Sequence, residues 1–304
     1  MKFRIACCMT ACFTLSISAL PAFVVAQTAE SIAQTRSERQ SFRIHDVTDS
    51  FVRSMAELGY GDLEADELIS FRIHGVTEGF IEKMSELEMG RLSAEDLISF
   101  RIHDVSPRYV EEMRGLDLGR LSGDDLVSFR IHGVDGDFLA EMASLGFKLD
   151  ADKAVSFRIH GVDADFIDEM EELGFPDLTA DELISFRIHR INARFMGEMK
   201  ELEFDSLTPD QALRLRIYNI DTGYRDKMER LGLSDFTPDR LVAMKILRVN
   251  NGLIDQLKEM DLNDIDMRDL LRERHGNNGN YWNNYDDEIW EALHNVVEDI
   301  VEMD

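Results

Sequence analysis

Six histidines recur at one fixed position of a repeated sequence, and imidazole is the commonest side-chain ligand of metals. Histidines in neighbouring copies would lie about one helix layer apart, roughly 8–10 Å, whereas every ligand of a zinc ion lies about 2 Å from it. No metal site and no cofactor is therefore predicted. We expect each imidazole to end a helix, bond to its terminal carbonyls and complement the negative end of its dipole. The six residues are His45, His74, His103, His132, His160 and His189.

Arginines form a second column, two residues before the histidines. At about 100° per residue they point toward the apolar side of a helix, where a charge needs a partner. We expect acids of the first helical turn to pair with them and fix the register of stacking; the alternative is an exposed ladder that binds an acidic ligand. These acids include Asp96, Asp125, Asp181 and Asp210. The candidate binding residues are Arg72, Arg101, Arg130, Arg158, Arg187, His74, His103, His132, His160 and His189.

Both columns belong to the sequence Ser-Phe-Arg-Ile-His, which returns every 29 residues, with one step of 28. Looser copies extend the array over residues 41–262. A fixed period in this range is typical of stacked-repeat proteins. The complete copies begin at Ser41, Ser70, Ser99, Ser128, Ser156 and Ser185.

Capping signals assign two helices to each repeat. Thr179 and Glu182 form a capping box that starts the first helix before the Ser-Phe-Arg-Ile-His sequence. After the next cap, at Thr77, the apolar residues Phe80 and Met84 recur at helical spacing. The pattern predicts an all-α solenoid of about eight helix-turn-helix repeats, with a methionine column in its core. The alternation of polar and apolar residues in Ser-Phe-Arg-Ile-His leaves an α/β, leucine-rich-repeat-like fold as the alternative.

The ends of the chain have a different composition. Lys2 and Arg4 precede a mostly apolar stretch that ends in small residues before Gln27, which predicts a signal peptide over residues 1–26, or alternatively an uncleaved anchor helix. All the cysteines fall within it, so no disulfide framework is predicted in the mature chain. Residues 27–40 are predicted to form a polar N-terminal cap, and residues 263–304 a C-terminal capping region with an Asn/Gly-rich loop and an acidic amphipathic helix.

The net charge of −27 disfavours nucleic acid and anionic lipid as partners, because both are themselves negatively charged. The sequence also lacks the zinc-protease, nucleophile-elbow, Walker and dinucleotide-binding motifs. We therefore predict no enzymatic activity.

The unit Asp-Glu-Leu-Ile-Ser-Phe-Arg-Ile-His-Gly-Val-Thr resembles a short repeat of bacterial envelope proteins. It is similar to repeats that trail membrane metallopeptidases of the beta-lactam-sensor type. The zinc motif and membrane helices of the peptidase are missing here, so no catalytic residue is carried over. The resemblance, which covers residues 41–262, implies a bacterial, exported module for sensing or interaction.

Together these features predict an exported scaffold, periplasmic or secreted, that binds a protein or envelope component and has no stable membrane insertion once the signal peptide is removed. The alternative is an acidic, cation-binding protein of the periplasm.

Overall fold

The computed structural model describes residues 36–87, 89–116, 118–276 and 285–303. These residues form eighteen α-helices and one short 3-10 helix, and no strand occurs among them. The predicted all-α repeat solenoid is confirmed, and the leucine-rich-repeat-like alternative is not supported. The predicted signal peptide, residues 27–35 of the predicted polar cap and the core of the Asn/Gly-rich loop lie outside the described residues.

Odd-numbered helices are the first helices of the repeats and even-numbered helices the second, up to α16. The first helices are α1 (Arg36–Ile44), α3 (Ala65–His74), α5 (Ala94–Ile102), α7 (Gly123–His132), α9 (Ala151–His160), α11 (Ala180–His189), α13 (Pro209–Ile217) and α15 (Pro238–Ile246). The second helices are α2 (Asp49–Glu57), α4 (Glu78–Ser85), α6 (Pro107–Arg114), α8 (Gly136–Ser144), α10 (Ala164–Glu172), α12 (Ala193–Glu201), α14 (Thr222–Arg230) and α16 (Asn251–Lys258). The 3-10 helix Leu262–Asp264, α17 (Met267–His275) and α18 (Asp287–Glu302) follow.

Side-chain caps begin both kinds of helix, as predicted. The Thr179 hydroxyl accepts the backbone N–H of Glu182, whose carboxylate accepts the N–H of Thr179 in return. Thr77 caps α4 by accepting the N–H of Phe80 at 3.3 Å. Each cap satisfies N–H groups that the first helical turn leaves without a partner.

A left-handed residue makes the sharp turn between the two helices of a repeat. Gly133 has φ +69°, and Arg190 takes the equivalent place in its own repeat at φ +56°. The N–H after each of them then bonds back to the buried phenylalanine of the first helix, as from Val134 to the Phe129 carbonyl at 2.8 Å. This turn folds the second helix back against the first.

The core is built mainly from a phenylalanine and a leucine at repeated positions of the first helices and from the methionine of the second helices up to α14, with Ala154 and Ala212 in the leucine position of α9 and α13. Phe100 and Leu97, for example, are fully buried. The predicted core position of the methionine column is confirmed, since all its members are buried: Met55, Met84, Met113, Met142, Met170, Met199 and Met228.

The chain is divided into two compact units, Met1–Gly136 and Asp137–Asp304. In the first unit, α3 packs between α1 and α5, and α5 packs against α7. In the second, α11 packs between α9 and α13, α13 packs against α15, and α18 packs on α15 and α16. None of the helices in the described ranges combines the length and apolar composition needed to cross a membrane.

Candidate functional site

From Arg72 to Arg216, each arginine of the column stacks on an aromatic ring from the second helix of the preceding repeat. The distances from the guanidinium carbon to the ring centroid lie within the range of cation–π contacts. They are 5.0 Å for Arg72 over Phe51, 5.1 Å for Arg101 over Phe80, 4.1 Å for Arg130 over Tyr109, 4.1 Å for Arg158 over Phe138, 3.8 Å for Arg187 over Phe166 and 5.5 Å for Arg216 over Phe195. The arginine column therefore joins successive repeats.

The same arginines also reach the end of the preceding first helix. Arg101 Nε donates to the carbonyl of His74 at 3.3 Å, and Arg216 Nε donates to that of His189 at 2.9 Å. Carbonyls at a helix C-terminus lack partners within the helix and carry the negative end of its dipole. One guanidinium thus stabilises both helices of the repeat before it.

The prediction that acids of the first helical turn pair with the arginines is wrong for Arg72, Arg130 and Arg187. Their ion pairs are with Asp46, Asp104 and Asp163, respectively, which lie at the turn between the helices of the preceding repeat. Within each unit, successive first helices stack in parallel, so the last turn of one meets the last turn of the next. Among the predicted acids, Asp96 and Asp125 close capping boxes on their own helices, Asp181 pairs with Lys153, and Asp210 is exposed at the start of α13.

The six histidines follow the arginines at the ends of the first helices and are half-buried or exposed. Within the described residues, none of these imidazoles makes a hydrogen bond or an ion pair. The prediction that they bond to the terminal carbonyls is wrong; the carbonyls of His74 and His189 accept hydrogen bonds from the next repeat's arginine instead. The described part of the chain also contains no group of three or more His, Cys, Asp or Glu placed to hold a metal ion.

The isoleucine between the arginine and the histidine is exposed in every repeat up to α13. We call these residues the outer isoleucines, and between 51% and 69% of each is exposed. Such exposure is unusual for so large an aliphatic side chain, because a folded core normally buries it. The outer isoleucines are Ile44, Ile73, Ile102, Ile131, Ile159, Ile188 and Ile217.

From α3 to α13, a second apolar residue lies one helical turn before the outer isoleucine and is half-buried. On α5 the pair is Ile98 and Ile102, and on α7 it is Val127 and Ile131. Residues four apart share one side of a helix, so each pair makes an apolar strip, and we call this strip the outer face of its helix. Sequence reasoning missed this face, although helical spacing reveals it, since Ile102 points away from buried Leu97 and Phe100.

In the last repeat the outer face is covered. Val242 and Ile246 of α15, the equivalents of Ile98 and Ile102, are 1% and 2% exposed. The helix packed on α15 is α18, whose buried apolar side includes Leu293 and Val296. An amphipathic helix therefore occupies on α15 the surface that the other first helices leave open.

Two arginines anchor α18 through its carboxylates. Arg214 pairs with Asp286 and with Glu288, the latter at 3.2 Å, and Arg240 pairs with Asp299. Both guanidinium groups are mostly buried, with side-chain exposures of 15% and 17%. The two arginines therefore favour a docked helix that carries acidic residues at its ends.

No protein-family model, no curated protein and no solved structure matches this chain.

Proposed function

We propose that the protein is an exported, non-enzymatic repeat scaffold of the bacterial envelope that binds another protein through its outer face. The observation that carries the proposal is the exposed isoleucine that returns at the same place in one repeat after another. Monomeric soluble proteins rarely expose a repeated apolar surface of this kind, and such surfaces mark interaction sites.

The fold itself has no need of this side chain. The core is filled by apolar residues of both helices, such as Leu97 and Phe100 of α5 and Met113 of α6, while more than half of each outer isoleucine is exposed. A polar residue there would make the array more soluble without loss of packing. Contact with a bound partner would explain why an isoleucine recurs at this exposed position.

The arginines and histidines have different places in this proposal. The arginines stack between repeats and hold the first helices in line, so they position the face rather than bind the partner. The histidines lie next to the outer isoleucines, and their imidazoles form no hydrogen bond or ion pair with any described residue. We propose that they border the surface that contacts the partner.

Crosslinking in the native host tests the proposal. Three forms of the exported protein are compared: the wild type, an Ile102→Ser/Ile131→Ser variant, and a control with Leu145→Ser/Leu262→Ser, which removes apolar side chains exposed outside the outer face. The proposal is supported if a partner is crosslinked to the wild type and to the control but not to the outer-face variant. The purified partner should then bind the three purified forms in the same pattern. An identical set of crosslinked proteins for all three forms contradicts it.

A further inference from the structure

We infer that the partner segment bound by the outer face is an amphipathic α-helix with basic flanks. This inference rests on the proposed function, and it names the shape and charge of what binds. Its first support is α18, which shows that a helix fits the apolar strip of a first helix and buries it completely.

The shape of the strip explains this fit. Val242 and Ile246 lie one turn apart on α15, and the apolar side of α18 packs over them. Ile98 and Ile102 have the same spacing on α5 but lie open. Helix-in-groove binding uses apolar anchors at this kind of spacing, so the uncovered strips offer a helix the same contact.

The charge of the uncovered strips differs from that of α15. Arg214 lies on α13 and Arg240 on α15, and their equivalents around α5 are Ser70 of α3 and Asp96 of α5. The arginines that hold the carboxylates of α18 are therefore replaced by a neutral residue and an acid. An acidic helix such as α18 would meet repulsion on α5.

Acids also border each strip at its N-terminal end. Glu95 lies two helical turns before Ile102 on the same side of α5, and Asp124 has the same relation to Ile131 on α7. Lysine or arginine on the flank of a docked helix would pair with them. The exposed acids at this position are Asp66, Glu95, Asp124, Asp152, Asp181 and Asp210.

A second copy of this chain is a poorer occupant. The chain carries a net charge of −27, and two outer faces brought together would place one acidic border near another. The amphipathic helix that the chain itself offers, α18, is acidic and already docked on α15. The charge therefore favours a basic helix from a different protein.

Two synthetic peptides test the inference against the full exported chain. The first has the sequence of residues 286–303, and the second replaces each of its acids by lysine while keeping its apolar residues. We expect the lysine peptide to bind at least about tenfold more tightly than the acidic peptide, a difference that calorimetry resolves. This preference should shrink as salt is added, because screening weakens the charge pairs.

Variants of the first unit locate the binding. Ile102→Ser/Ile131→Ser and Glu95→Gln/Asp124→Asn should each weaken the lysine peptide by about tenfold or more, because they remove the anchors and the paired charges. The charge-matched control Glu82→Gln/Glu111→Gln, which alters exposed acids of second helices, should bind like the wild type.

The remaining outcomes overturn either the inference or the proposed function on which it rests. If both peptides bind equally, or if the control variant loses as much affinity for the lysine peptide as Glu95→Gln/Asp124→Asn does, the acids at the border of the strips do not select the helix. If light scattering shows a dimer that Ile102→Ser/Ile131→Ser abolishes, a second copy of the chain is the occupant.

If neither peptide binds but the crosslinked partner is still lost from the outer-face variant, the inference of a basic helix is wrong and the proposed function stands. If the lysine peptide binds through the outer face but no crosslinked partner depends on it, the proposed function is wrong.

Discussion

Ile217 and Ile246 occupy the same position in adjacent repeats, yet Ile217 is 54% exposed and Ile246 is 2% exposed. Ile246 belongs to α15, the helix on which α18 packs, and α18 is anchored by ion pairs from Arg214 and Arg240. In the last repeat, the apolar residues of the outer face are therefore buried as part of the core.

Truncation of a buried side chain of α18 tests how firmly that helix is docked. Leu293 is fully buried, so Leu293→Ala should lower the free energy of unfolding by about 3 kcal/mol through lost transfer energy and the cavity left behind. Urea unfolding followed by circular dichroism measures the change. Glu298→Ala, on the exposed side of the same helix, should stay within about 0.5 kcal/mol of the wild type. Equal effects of the two substitutions would show that α18 is not held by its apolar side.

Substitutions in α5 separate the outer face from the core. Ile102→Ser should change the free energy of unfolding by no more than about 0.5 kcal/mol, because the side chain is already 54% exposed. Phe100→Ala, two residues earlier and fully buried, should cost about 4 kcal/mol. Thermal and urea unfolding of both variants give the comparison. A large loss for Ile102→Ser would mean that the isoleucine serves folding, which would remove the main support for a binding face.

The sequence was sufficient to predict features that depend on residues close together in the chain. The cap at Thr179 and the left-handed turn after His132 follow from a few neighbouring residues, so local preferences determine them. The partner of Arg187 could not be predicted in the same way, because it lies in the preceding repeat. Its identity depends on the parallel stacking of first helices, which sequence spacing alone does not establish.

The outer face is an intermediate case. Helical periodicity places Ile102 on the side of α5 opposite to Leu97 and Phe100, so its exposure follows from residues close to it in the chain. The covering of Ile246 required the structure, since nothing local to α15 indicates where α18 packs.

The arginine column predicts an unequal effect of two substitutions at one contact. Arg187 lies 3.8 Å from the centroid of the Phe166 ring and forms a 3.4 Å ion pair with Asp163. Arg187→Ala should lower the free energy of unfolding by about 1–2 kcal/mol, because it removes a partly desolvated cation–π contact and its packing. Asp163→Asn should cost less than about 0.5 kcal/mol, since asparagine still caps α10 and the lost ion pair is long, at 3.4 Å, with the Asp163 side chain 54% exposed.

Urea unfolding of the two variants and the wild type measures how much of the stability comes from the cation–π contact of Arg187 and how much from its ion pair. A loss for Asp163→Asn as large as that for Arg187→Ala would assign the stabilisation to the ion pair. A double-mutant cycle with Phe166→Leu should recover a coupling of about 1 kcal/mol between Arg187 and the ring.

Alkaline pH should destabilise the fold through Tyr109. Its hydroxyl donates to the carbonyl of Val134 at 3.1 Å, and burial raises the pKa of Tyr109 to about 12, against an ordinary value of 10.0. The unfolded chain therefore releases this proton first as the pH rises. The stability that the buried, neutral phenol contributes is complete below pH 10 and is lost between about pH 10 and 12.

Tyr109→Phe is the matched substitution, because phenylalanine keeps the ring beneath Arg130 and removes only the ionisable hydroxyl. Near neutral pH it should lower the free energy of unfolding by about 1 kcal/mol, the usual net worth of one hydrogen bond. From about pH 9 to 11 the variant should lose less further stability than the wild type, since one proton fewer is released on unfolding. Parallel slopes for the two proteins would mean that the Tyr109 hydroxyl titrates in the folded chain as it does in the unfolded one.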